Sequence, residues 1–106
     1  MAEDLDTSLQ QIDDLWRQHL AEAFPVGLAG HEIDGIDLVL LDADIAGCIS
    51  TFVDTRNLNL FQTAVLGLSY KDVASIVLES DGNVRTYFSR LEKLAGLVLR
   101  AVANGC

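Results

Sequence analysis

Apolar residues recur at helical spacing in four stretches of the chain, and short polar or glycine-containing clusters separate them. Leu5, Leu9, Ile12, Trp16, Leu20 and Ala23 follow one another every three or four residues, which predicts an amphipathic helix over about 3–24. Glu3, Asp4 and Asp6 suit the positive end of its dipole, and Pro25 and Gly27 stop it. Residues 25–33 have no clear period and read as a connector that packs Val26, Leu28 and Ile33.

Residues 34–54 hold the densest apolar run. From Leu41 onward the apolar positions 41, 45, 48, 49, 52 and 53 fit a helix, whereas strand alternation fails at Ile45-Ala46 and Cys48-Ile49. Residues 36–41 fit either a short strand or the first helical turns. The absence of a comparable second strand favours one helix over about 35–54, capped by Asp34. Gly47 inside it costs about 1 kcal/mol relative to alanine. With Ala43, Ala46 and Ser50 it would let a neighbouring helix approach closely.

The third helix is expected over about 58–79 with Asn57 as its cap and Phe61, Ala64, Val65 and Leu68 facing the core. Ser69-x-x-Asp72 resembles a capping box, which predicts a kink or split near Gly67–Tyr70. Ser80-Asp81-Gly82-Asn83 is the clearest break. After it, Val84, Tyr87, Phe88, Leu91, Leu94, Ala95, Val98, Ala101 and Val102 predict a helix over about 83–103. Four helices of similar length joined by short connectors predict a single all-α domain, an antiparallel up-down-up-down four-helix bundle.

Composition agrees with a self-sufficient core: half of the 106 residues are apolar and there is one proline. Charge adds a direction. Residues 1–54 carry twelve acids against Arg17 alone, and the remainder carries six bases against four acids, for a net charge of −9. This balance excludes nonspecific binding to nucleic acid or anionic membranes and favours a basic protein partner. The longest apolar run, Leu38–Leu41, is far short of the ~20 residues that span a bilayer, and no basic, apolar leader opens the chain. A cytoplasmic protein is the expectation. Cys48 within the core run and Cys106 at the end match neither a disulfide framework nor a zinc pattern.

Few residues suggest chemistry. His19, Glu22, His31, Asp42 and Asp44 are the metal-ligating candidates, but their spacing matches no known ligand motif. Asp42 and Asp44 lie two apart on a helix and point about 200° from each other, so they cannot converge on one atom. No phosphate-binding loop, nucleophile elbow or paired-cysteine motif occurs, so neither a catalytic residue nor a cofactor is predicted.

The leading expectation is therefore a non-enzymatic interaction module that binds a basic protein through Asp6, Asp13, Asp14, Glu22, Glu32 and Tyr70. Small acidic helical bundles include immunity proteins that neutralise basic nucleases, an analogy of size and charge alone. A leftover apolar patch would serve a homodimer or a partner. The alternative is a small-ligand or metal site built from the histidines and neighbouring carboxylates.

Overall fold

The second helix begins three residues later than its apolar pattern suggests, because a tight hairpin precedes it. Asp34 and Gly35 take left-handed φ values of 53° and 78°, the pair that a two-residue hairpin turn requires and that Asp-Gly supplies at low cost. Strands β1 (Glu32–Ile33) and β2 (Ile36–Asp37) pair antiparallel across this turn. Asp34 is thus a turn residue, and Asp37 is the helix cap, its carboxylate accepting from the Leu40 N–H at 3.0 Å. The single helix expected over 35–54 becomes a hairpin followed by a helix.

The computed structural model describes the backbone of residues 2–28 and 30–104, and the side chains of residues 7–28 and 30–104. Its helices are α1 (Ala2–Ala21), α2 (Leu38–Thr55), α3 (Leu60–Glu79) and α4 (Gly82–Ala103). They form the expected all-α, up-down-up-down bundle. Asp13 of α1 meets Arg56 after α2, and His19 meets Asp42, so α1 and α2 run antiparallel. The Cys48 thiol approaches the Gln62 carbonyl at 3.6 Å near the start of α3 and Asp44 shares a groove with Asp72 further along it, so α2 and α3 run antiparallel; the short Ser80–Asp81 connection turns α4 back along α3, with the Tyr70 ring against Gly96.

Helix ends follow local chemistry. Asn59, not Asn57, caps α3 in a reciprocal capping box with Gln62. Ser69 and Asp72 start no new helix: α3 runs unbroken through Gly67–Tyr70, and Ser69 is buried within it. α1 ends at Ala21, three residues before the expected stop, which frees Phe24 to set its ring edge against Tyr87 and Phe88.

Ile12, Leu38, Ile49, Phe52, Leu66 and Phe88 are among the fully buried side chains. Three expectations about facing are corrected. His19 occupies the inward position on α1, while Leu20 and Ala23 are exposed. On α3 the inward residues are Leu66, Ser69, Val73 and Ile76, whereas Phe61, Ala64 and Leu68 face solvent. Ala43 and Gly47 are also exposed, and a Cβ at Gly47 would meet nothing within 4 Å. The close helix approach lies at Gly96, where a Cβ would come within 3.3 Å of Tyr70.

Candidate functional site

One buried polar cluster ties three helices together. His19 from α1, Asp42 from α2 and Tyr87 from α4 are distant in sequence, yet their polar atoms converge. The Tyr87 hydroxyl donates to Asp42 Oδ1 at 3.0 Å, and His19 Nε2 lies 3.3 Å from that hydroxyl and 3.4 Å from the carboxylate. The hydroxyl has one proton and gives it to Asp42, so Nε2 carries the imidazole hydrogen and donates into the pair. Nδ1 is buried without a partner. Trp16 stacks on the imidazole at 5.7 Å and Tyr87 tilts against it at 4.8 Å.

Burial, followed by the Asp42 charge and its hydrogen bond, pushes the Tyr87 hydroxyl well above its usual pKa of 10.0. Arg90 opposes that rise and Glu22 adds to it. Because the folded value is raised, Tyr87 contributes stability that is fully present below about pH 10 and lost as pH rises through the folded value. Spectrophotometric titration should show, by difference from Tyr87→Phe, a tyrosinate that forms only far above pH 10. Ionisation of Tyr87 at the usual pH would contradict this burial.

The cluster has the composition of an acid–base site but the position of a bolt. His19 is 6% exposed and Tyr87 4%, and neither they nor Asp42 line the clefts described below. A buried, hydrogen-bonded His–Asp–Tyr set fixes helix positions because each group would be costly to leave unpaired.

The remaining metal candidates disperse. Glu22 binds Arg90 at 2.8 Å, His31 belongs to the connector before β1, and Asp44 is exposed near α3. Among the described residues, no three His, Cys, Asp or Glu side chains are grouped to hold a metal ion. Cys48 is buried, and burial together with the Asp44 charge raises its pKa, so its thiol stays protonated. Cys106 lies outside the described residues.

Three of the partner-binding candidates on α1 and just after it are occupied. Asp13 holds Arg56 at 2.8 Å, Asp14 holds Arg17 and accepts from Gln10, and Glu22 is taken by Arg90. The Asp6 side chain lies outside the described residues. Tyr70 is half-buried against Gly96, and Glu32 is exposed on the hairpin.

Three surface clefts lined by described residues bear on the partner reading. One of about 410 Å³ between α1 and α2 includes the paired Asp13 and Arg56. Another, of about 320 Å³, has the aliphatic side chains of Leu28, Ile33, Leu38 and Val84 with His31, Glu32, Ser80 and Asp81. The third, of about 310 Å³, lies between the hairpin, α2 and α3. Ile36, Leu40 and Leu41 line it together with Asp37, Asp44 and Asp72, and no cationic side chain does. Among the described residues, no ion pair engages Asp44 or Asp72. Sequence reading missed this groove, since Asp72 resembled part of a capping box. The net acidity of residues 1–54 covers Asp37 and Asp44 but not Asp72, and does not separate paired from unpaired carboxylates.

Compared with family models, with curated proteins and with solved structures, the chain matches none. Among the described residues, no helix is long and apolar enough to cross a membrane.

Proposed function

We propose that this chain is a non-enzymatic protein-interaction module whose acidic surface receives a basic partner. One observation carries the reading: the groove between the hairpin, α2 and α3 is lined by three carboxylates and no cation. Asp13 and Asp14 of α1 and Glu22 just after it, by contrast, are matched by Arg56, Arg17 and Arg90. Desolvating a paired acid gains little, because its counter-ion must be displaced first. Asp37 is engaged as the cap of α2, whereas Asp44 and Asp72 gain a full partner on binding, and their field accelerates encounter with a cationic surface.

The closed setting of His19, Asp42 and Tyr87 also favours a binding role, since a catalytic group must reach its substrate. The test is a partner captured by cross-linking, identified by mass spectrometry, and then measured in purified form. Its association rate should fall about tenfold or more as salt rises from roughly 50 to 500 mM. A rate indifferent to salt, or a partner with an acidic binding face, would sink the proposal.

A further inference from the structure

The solvent side of α3 exposes four large apolar side chains beside Lys71, Asp72 and Glu79. Leu60 is 90% exposed, Phe61 76%, Leu68 67% and Leu78 79%, and Lys71 is the one cation along the helix. A helix apolar on every side is normally covered on every side, and contiguous exposed apolar area marks interaction surfaces. The neighbouring surface of α2 continues the pattern with Leu40, which is 61% exposed and lines the groove with Asp72.

Small residues lie among these large ones. Gly47 and Gly67 sit inside helices at helical φ, each at a cost of about 1 kcal/mol relative to alanine. A Cβ at either would meet nothing within 4 Å, so neither glycine serves packing within the chain. Exposed knobs beside open small positions suit the close approach of another helix.

We infer that the outer face of α2 and α3 is the docking surface of the module, and that its occupant is an amphipathic helix with an apolar stripe flanked by lysine or arginine. This rests on the basic-partner reading and specifies its site. Leu40, Phe61 and Leu68 receive apolar residues spaced three and four apart, and Asp44 and Asp72 meet the flanking cations. The 20 residues of α3 extend about 30 Å, enough for five turns of a partner helix.

Charge decides against a second copy as the occupant. A two-fold contact places the same patch on both sides, so Asp44 and Asp72 of both copies, four carboxylates, would be enclosed in one interface between chains of net charge −9. An anionic membrane surface is disfavoured by the same carboxylates.

The test uses an 18-residue synthetic leucine–lysine peptide with a leucine stripe, a scrambled peptide of the same composition, and fluorescence anisotropy on the full chain. The striped peptide should bind more tightly than the scrambled one. Phe61→Ser with Leu68→Ser, and separately Asp44→Asn with Asp72→Asn, should each weaken it about tenfold, without loss of helical circular dichroism. Asp81→Asn, at the neighbouring cleft, should leave it unchanged.

Striped-peptide binding that survives both groove pairs overturns this surface while leaving the basic-partner reading intact, as does equal affinity for the scrambled peptide. Failure of both peptides to bind at about 50 mM salt overturns surface and reading together. Sedimentation equilibrium showing a dimer that Phe61→Ser with Leu68→Ser dissociates assigns the face to a second copy and refutes the inference.

Discussion

Phe88→Ala is expected to remove about 3–5 kcal/mol of folding stability. Phe88 is fully buried in α4 and meets the Phe24 ring at 6.2 Å and the Tyr87 ring at 5.3 Å, both in edge-on geometry. Alanine would forfeit the transfer energy of a phenyl group and these ring contacts, and it would leave a cavity among helices that cannot all collapse inward. Domains of this size hold about 5–15 kcal/mol in total. The loss should therefore lower the thermal midpoint by more than about 10 °C. Urea denaturation at unchanged m-value measures it, and a loss under about 1 kcal/mol would contradict the placement of Phe88 in the core.

Asp42→Ala should cost about 1–3 kcal/mol, although it deletes a side chain that is 21% exposed. The carboxylate accepts from Tyr87 and lies within reach of His19, and neither group has another carboxylate at comparable distance. After its removal the Tyr87 hydroxyl can turn to His19 Nε2, which shifts the imidazole hydrogen to Nδ1. That atom has no acceptor, so one buried donor stays unsatisfied whichever tautomer forms. Asp42→Asn keeps an acceptor oxygen and should cost less than Asp42→Ala. Combining Asp42→Ala with Tyr87→Phe should cost less than the two changes summed, as expected for partners in one hydrogen-bonded set. Strict additivity in urea denaturation would show that the three side chains do not act together.

The contrast between helices explains how much of this fold can be read without coordinates. On α4, apolar and polar residues alternate at one period, and Tyr87, Phe88, Leu91, Leu94, Ala95, Val98 and Ala101 are all buried as that period predicts. α3 has apolar residues around its whole circumference, so several stripes fit equally well. Phe61, Ala64 and Leu68 form one such stripe and are exposed; Leu66, Val73 and Ile76 form another and are buried. Burial of His19 in place of Leu20 has the same origin. One position of rotation on α1 brings imidazole to Asp42 and Tyr87, and the satisfied hydrogen bonds outweigh the exposure of one leucine.

The hairpin carried a local signal in Asp34-Gly35, but its strands have two residues each, too few to establish alternation. The candidate site was less legible still. Asp13 and Arg56 are 43 residues apart, and Glu22 and Arg90 are 68 apart, so nothing local foretells which acids are neutralised.

The sequence by itself determined four helices, their approximate spans, the bundle class and an acidic first half, because periodicity, caps and charge act over a few residues and persist in any arrangement of the chain. Only the tertiary structure decided which face of α3 turns outward, that His19 joins Asp42 and Tyr87 in the core, and that Asp44 and Asp72 stand unpaired beside exposed leucines. Those outcomes depend on which helices become neighbours, and side-chain burial and charge pairing are properties of neighbours.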